Sequence, residues 1–467
     1  MSGTAAAMDF HPQPGPGRPR PWAFPVPERG ALASGLAVLR CHRPGQQVVA
    51  VEISLGVPLD AEPHGLDGIA AIMVDGLSQG TATLTAEEFT AELERCGATL
   101  DTDADFLGAR VSLEVPASRL PRALGLLAEA LHTPAFPAGE IERLVSNRLD
   151  EIPIELANPG QRAARQLAQE LFPAPARLSR PRKGAEDTVA RIDAAEVRAF
   201  YQAHVHPAAA TAVVAGDLTG IDLDAVLAST LGGWTGHGAG PPPAPPVGPA
   251  DTSGVVIVDR PGAVQTQLLI GRTGPDRHDR AWPALVVGTY CLGGTLTSRL
   301  DRVLREEKGY TYGVRAAQQV LRSPATHTAD GAAGVSVFAI SGSVDTASTG
   351  PALADLWMVL RSLAAEGLTE TERDTAVQNL VGIAPLRYER AASVAHTLAD
   401  QVEQHLPDGY QAQLYARLAE TGAAEATAAV IAAFPENGLV TILVGDASQI
   451  GAPVRALGIG EVRVVTS

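Results

Sequence analysis

The sequence has little cysteine, few aromatic side chains, a shortage of positive charge and no long apolar run. Its three cysteines, Cys41, Cys96 and Cys291, are scattered through 467 residues and form no C-x-x-C. An odd, dispersed set excludes a disulfide framework and a thiolate metal site, and leaves these residues as small apolar core side chains. Aromatics make up only 4%, so any core must be built from Ala, Leu and Val. The chain carries 36 Lys and Arg against 52 Asp and Glu, a formal charge of −16. Phosphates repel such a chain, so nucleic acid is excluded as a partner, and solubility is the plain consequence of the charge. With no run of about 18 apolar residues, no membrane-spanning helix is expected. The start, "MSGTAAAMDFHPQPGPGRPRPWAFPVP", lacks the basic segment and apolar stretch of a secretory signal. A cytoplasmic protein is therefore expected, with residues 1–30 as a flexible, Pro-rich arm.

What is present is ordinary for a soluble protein: 45% hydrophobic and 19% charged residues. The length is too great for one compact core and predicts two domains. A Pro/Gly-rich spacer, "HGAGPPPAPPVGPADTS" at 237–253, divides the chain near its middle. On either side lie 31–236 and 254–467, which echo each other. Both begin with a β-rich run, an Arg-Pro-Gly turn and a second β-rich run ("GLAVLRCHRPGQQVVAVEISLG" and "GVVIVDRPGAVQTQLLIG"). Both end with a buried strand followed by Gly-Asp ("TAVVAGDLT" and "VTILVGDAS").

Between these ends, helical periodicity predicts helices near 67–79, 85–95, 117–132, 137–156, 159–171 and 193–204 in the first half. In the second they fall near 281–292, 296–307, 350–366, 369–384, 389–404 and 409–432. A strand pair interrupts each series, at 97–104 and 107–115, then at 311–320 and 334–343. The fold class is thus α+β, a tandem duplication of a unit of about 210 residues with a mainly antiparallel sheet covered by helices.

Two stretches bear on chemistry. In "GIAAIMVDGLSQGT", Gly68–Thr81, the helix places Ala71, Val74 and Asp75 at i, i+3 and i+4, on one face. A zinc peptidase uses that spacing as H-x-x-E-H, two ligands and a general base. Ala and Val offer a metal no lone pair, and one carboxylate is not a site. The frame G-I-A-x6-L-x-x-G-T, with the duplicated halves and linker, resembles the pitrilysin-like zinc peptidases, which include insulin-degrading enzyme and the mitochondrial processing peptidase. That resemblance runs from about residue 30 to the end. It implies a clamshell architecture, of which this chain would form half. It places the family's third ligand at Glu151, 76 residues beyond Asp75, and an additional acidic position at Leu144. The degenerate ligand positions are therefore Ala71, Asp75 and Glu151, with Val74 at the general base, and no metal is expected in this chain. His64, His204 and His206 read as ordinary loop and helix-end residues, and "HTLADQVEQH", His396–His405, has the wrong spacing for zinc.

The second stretch is "CLGGTLTSRLDRVLREEKGYTYGV", Cys291–Val314. Gly293 and Gly294 are expected to permit a tight turn. A helix follows over Ser298–Lys308 with Leu300, Val303 and Leu304 inward, ended by Gly309 at C′. Tyr310 and Tyr312 then share one face of a strand. Beyond this local reading, the segment resembles the family's C-terminal motif, in which an Arg and a Tyr seven residues later reach a zinc site. That resemblance implies that Arg305 holds the substrate carbonyl or orients Tyr312, and that the Tyr312 hydroxyl binds the oxyanion. It also implies a function: the zinc-less subunit of a heterodimeric peptidase, completing the site of a homologous H-x-x-E-H chain that carries the zinc and cleaves an unfolded peptide or leader segment. The alternative is a structural or assembly protein, like the core subunits of a respiratory complex. A self-sufficient enzyme with a site rebuilt around Asp75, Glu151 and a histidine is a further option.

Overall fold

The structure, a computed structural model, describes residues 22–238, 253–323 and 334–466. Each half contains one six-stranded sheet. The first is built from β1 (Glu28–Ala31), β2 (Ala37–His42), β3 (Val48–Ser54), β4 (Thr99–Ala104), β5 (Ala109–Pro116) and β6 (Thr211–Gly216), in the order β1-β2-β6-β3-β5-β4. The second is built from β7 (Gly254–Asp259), β8 (Gln265–Gly274), β9 (Thr311–Arg322), β10 (Val335–Asp345), β11 (Val440–Gly445) and β12 (Val462–Thr466), in the order β12-β7-β11-β8-β10-β9. The duplication is visible in the pairing. In both sheets the strand that closes the unit runs parallel to the first strand of the hairpin and antiparallel to the second. The edge strand differs: β1 precedes its sheet and pairs antiparallel, whereas β12 arrives from the C-terminal end and pairs parallel.

The sequence patterns explain where these strands sit. "TAVVAG" and "VTILVG" are buried at every position, as continuous apolar runs require when both sheet faces are covered. β5 alternates more strictly. The second cover on each sheet comes from the other half. Helix α3 (Pro159–Leu171) of the first half lies on β8 and β11, where Ala163, Leu167 and Leu171 join Val256, Val258 and Ile442 in one apolar cluster. Reciprocally, a second-half helix at Ala391–Glu403 lies on β3 and β6, placing Val394, Ala395 and Leu398 against Ala50, Val213 and Ala215. The halves are interlocked by this exchange, which local periodicity does not reveal.

Ion pairs fasten the seam. Arg322 at the end of β9 grips Asp60 at 2.7 and 2.8 Å, and Arg463 reaches Glu170 at 2.7 Å. Buried Arg110 on β5 donates to Asp400 at 2.9 Å, to both carboxylate oxygens of Glu403, and to the His396 ring. The stretch His396–His405 thus serves the seam.

Two expectations change, and a third falls largely outside the described residues. The arm expected over 1–30 is described from Trp22 onward, and there it is packed. Trp22 stacks on Tyr388 of the second half at 5.6 Å, Phe24 meets the same ring edge-on, Arg29 pairs with Asp408, and β1 falls within the range. The helix expected over 409–432 is two, Tyr410–Glu420 and Ala423–Ala433. They break where Thr421 turns extended and Gly422 starts afresh, a Gly cost that outweighs the surrounding Ala propensity. The linker expected over 237–253 lies outside the described residues from 239 to 252. Among the described residues no helix is long and apolar enough to cross a membrane.

Candidate functional site

The first candidate region is helix α1 (Ile69–Gly76). Only Asp75 escapes full burial; Ala71 is 6% exposed and Val74 0%, within the core of the first half. Gly76 is where Phe136 and Ile141 close in, so close that a Cβ there would meet the Phe136 ring at 2.9 Å. The helix starts at Gly68, whose φ of 101° suits glycine alone. Its N-terminal amides are held by buried Glu62, which accepts from Gly68 N at 3.0 Å and Ala70 N at 3.1 Å and is itself gripped by Arg177 at 2.7 Å. A carboxylate at a helix start is favourable, and this one fixes how α1 enters the core.

Asp75 turns toward β4, where Thr102 donates to it at 2.5 Å. Burial holds its carboxyl above the usual carboxylate range. Thr102 and Lys183 pull it down, and Asp103 and Glu151 push it further up. Glu151 lies on α2 (Ala138–Ala157), its side chain 54% exposed, and takes 3.1 Å from Arg148. Arg148 also forks onto Glu155 at 2.5 and 2.8 Å and donates to Lys183 O at 3.1 Å. The place where ligands would converge therefore holds two carboxylates balanced by Arg148 and Lys183. The residues do not fit a metal: Ala71 and Val74 carry no donor, and no group of three or more His, Cys, Asp or Glu among the described residues is placed to hold one. His64 is exposed in the loop before α1. His204 tilts against Phe200 at 4.7 Å, His206 is buried, and Leu144 is half-buried against the same core.

The second region is the segment from helix α4 (Trp282–Gly293) to β9. The Gly pair does not make the expected turn: neither Gly293 nor Gly294 takes positive φ. Gly293 is small because β9 crosses it, and a Cβ there would lie 2.4 Å from Ala316 N. The helix after it begins at Arg299 and widens into a π-turn over Arg302–Glu307, with Gly309 closing at φ 68°. Such widened turns shift side chains off the normal helical register, and Arg305 sits within this one. Asp301, 0% exposed, ties the turn to the strand by accepting from Val314 N at 2.7 Å and Arg315 at 2.5 Å. Arg299 is fixed by Glu372 at 2.6 Å.

This rigid frame presents two loose side chains. Tyr312 is 92% exposed and its hydroxyl makes no hydrogen bond among the described residues. The Arg305 side chain is 37% exposed and among the described residues its ion-pair partner is Glu306 at 3.8 Å. Tyr310 does not share a strand face with Tyr312 as expected: it precedes β9 and is partly packed against the core. Arrays like this can donate to an oxygen on a neighbouring molecule. The sequence did not disclose Glu62, Arg177, Asp301 or the π-turn: each acts by contact with residues distant in sequence, and no local pattern signals it.

The description "Insulinase (Peptidase family M16)" matches residues 37–176, and "Peptidase M16 inactive domain" matches residues 191–380. An uncharacterized zinc protease of Mycobacterium bovis is 27% identical over 405 residues, 82% of this chain and 89% of its own length. Its Mycobacterium leprae counterpart is 25% identical over 362 residues, 76% and 77% of the two chains. Two solved structures share the fold. A peptidase M16 inactive domain from Pseudomonas fluorescens has a TM-score of 0.78 at 22% identity, over 90% of this chain and 98% of its own. A protease from Helicobacter pylori has a TM-score of 0.80 at 18% identity, over 90% and 100%.

Proposed function

Because this chain belongs to the M16 family of insulinase-like, or pitrilysin-like, peptidases, we propose that it is the zinc-less subunit of a two-chain peptidase. It forms half of a clamshell and lends Arg305 and Tyr312 to a site whose metal is held by a homologous chain with an intact H-x-x-E-H helix. One observation carries this reading: Ala71 and Val74 of α1 are sealed into an apolar core, while Tyr312 stands 92% exposed with no side-chain partner among the described residues. A large aromatic side chain in water gains nothing for its own fold. Across an interface it gives a hydroxyl donor aimed at the carbonyl oxygen of a bound peptide, which becomes negative as the bond is attacked. Fixed donors at such oxygens supply a large share of hydrolytic catalysis. Arg305, on the π-turn beneath, adds a cation that holds the carbonyl or orients the phenol. The substrate class is an unfolded peptide or leader segment, and the place of action is the cytoplasm.

The test is to purify the chain alone and with a zinc-motif homologue encoded beside it, and to assay cleavage of unfolded peptides. The expected result is zinc-dependent cleavage by the pair only. Cleavage by this chain alone, or full activity of the homologue without it, overturns the reading.

A further inference from the structure

Of the two helices exchanged between the halves, α3 and α5 (Ala391–Glu403), the first borders an open cavity of about 480 Å³, a size typical of small-ligand sites. Its floor is one face of the second sheet, where Leu269, Leu321 and Val337 belong to β8, β9 and β10. Gln319 pairs with Val337 and lies on that same face. One wall is α2, which contributes Ile152, Glu155 and Leu156 at i, i+3 and i+4. The other is α3, with Gln161, Arg165 and Ala168 along a single face. Gln319 lies seven residues along β9 from Tyr312, roughly 23 Å at the usual rise, so the cavity is distinct from the Arg305–Tyr312 region. Neither Asp75 nor Glu151 lines it.

The lining is mostly apolar, and its charged members are matched except one. Glu155 accepts both prongs of Arg148 at 2.5 and 2.8 Å. Arg180 is held by Asp67 at 2.7 and 3.1 Å, and Arg182 by Asp103 at 3.2 Å. The half-buried Arg165 side chain forms no hydrogen bond or ion pair among the described residues. Burial, and then the neighbouring Arg162, hold its pKa below the ordinary guanidinium range; Glu155 and Asp187 act on it only from beyond ion-pair distance. In a chain of net charge −16, this wall keeps a cation that no carboxylate answers. An apolar cavity with one unanswered guanidinium suits an apolar group that carries an anion, because a bidentate carboxylate would match the guanidinium and offset its desolvation.

Two amides decide what kind of molecule carries that anion. Gln161 stands one turn from Arg165 on α3, and Gln319 stands on the floor; both are exposed, and neither side-chain amide is hydrogen-bonded among the described residues. An alkyl carboxylate filling the cavity would strip water from both amides and return no hydrogen bond, which is costly. A peptide segment brings N–H and C=O groups that replace the water. A carboxylate, an apolar side chain and backbone amides meet in one place at the end of a polypeptide, and capture of chain termini is a recurring mode of recognition.

We infer that this cavity captures the free C-terminus of a peptide whose last residue is apolar, with Arg165 taking the terminal carboxylate, Ile152, Leu156 and Leu321 taking the side chain, and Gln161 and Gln319 bonding the backbone. The inference does not rest on the proposed subunit role, because this chain alone supplies every group named.

The experiment titrates the full chain calorimetrically with acetyl-Ala-Gly-Leu-Leu as the free acid, with its C-terminal amide, and with decanoate. The expected result is one-to-one binding of the free acid, weakening as salt rises. The amide is expected to bind at least tenfold more weakly, and decanoate more weakly than the free acid. Two variants locate the site. Arg165→Gln removes the charge and is expected to weaken the free acid at least fivefold while leaving the amide's affinity unchanged, a selectivity that a structural role for Arg165 would not produce. Its melting curve is expected to stay in place, since the side chain has no partner to lose. Ala168→Leu keeps the charge and narrows the cavity, and is expected to weaken the free acid at least fivefold. Absence of free-acid binding, equal binding of the amide, tighter binding of decanoate than of the peptide, or unaltered affinity in both folded variants overturns the inference. The free-acid and amide comparison uses the parent chain, so it decides the matter even if a variant fails to fold.

Discussion

Helix α1 and the π-turn before β9 stand at the two chemically marked places of a duplicated chain, and they differ in what surrounds them. Around α1, Ala71 and Val74 are packed into the core of the first half, and the remaining carboxylates are balanced by Arg148 and Lys183. Around the π-turn the buried bonds all belong to the frame, through Asp301 and Arg299, and the chemically capable groups face water. A protein interior treats donors and acceptors severely: they must be satisfied or removed. At α1 the positions Ala71 and Val74 are apolar and buried, so that stretch contributes to the core. At Tyr312 an unsatisfied hydroxyl costs little because water reaches it, so the group is kept available for another molecule. Exposure of a polar aromatic and replacement of ligands by apolar side chains are opposite outcomes of the same rule.

The strongest way to break the contrast is to rebuild the α1 site with Ala71→His, Val74→Glu and Asp75→His together. If the region has become core, placing Glu at a position 0% exposed buries a charge and costs several kcal/mol. The urea midpoint should fall sharply, and metal analysis should find substoichiometric zinc. Stoichiometric zinc with undiminished stability would mean the site is latent and the contrast false.

Next in size is Tyr312→Phe. Paired with the zinc-bearing chain, turnover should fall on the order of 10²-fold, the usual effect of losing one oxyanion donor. The melting curve of the isolated chain should not move, since exposed positions typically change stability by less than about 0.5 kcal/mol. Steady-state assay with calorimetry separates the two. An unchanged rate removes Tyr312 from the site, and a lowered melting temperature makes it structural.

Much of this contrast could be read from the chain itself. The duplication follows from the repeated hairpin, Arg-Pro-Gly turn and Gly-Asp strand end. The helix bounds follow from periodicity to within a few residues, as at 159–171. That Ala71 and Val74 offer a metal no lone pair is a matter of residue identity at fixed spacing. What local pattern could not carry is whatever depends on crossing elements. The exchange of helices α3 and α5 between sheets is one case. The Arg110–Glu403 seam is another, where "HTLADQVEQH" had offered only a spacing unsuited to zinc. The Gly293–Gly294 pair was misread because glycine serves either positive φ or close approach, and only the position of β9 tells which. The widening at Arg302–Glu307 follows Asp301, which is held to β9 by a contact no local pattern signals.

The smallest effect refines the α1 side. Burial, Asp103 and Glu151 hold the Asp75 carboxyl above its ordinary range in the folded chain. A raised acid binds its proton more tightly folded than unfolded. Its contribution to stability is therefore greatest below the unfolded pKa and is lost as pH rises through the folded value. Asp75→Asn keeps an oxygen to accept from Thr102 and abolishes that titration. The variant should be slightly more stable than the parent at pH 7, by about 1 kcal/mol or less given the partial exposure, and the gap should close by about pH 4. Urea midpoints of both proteins at the two pH values decide it. Were Asp75 a working metal ligand, the same change would abolish metal binding and leave the neutral-pH protein less stable, so a destabilised Asn variant at pH 7 would reopen the case for chemistry at α1.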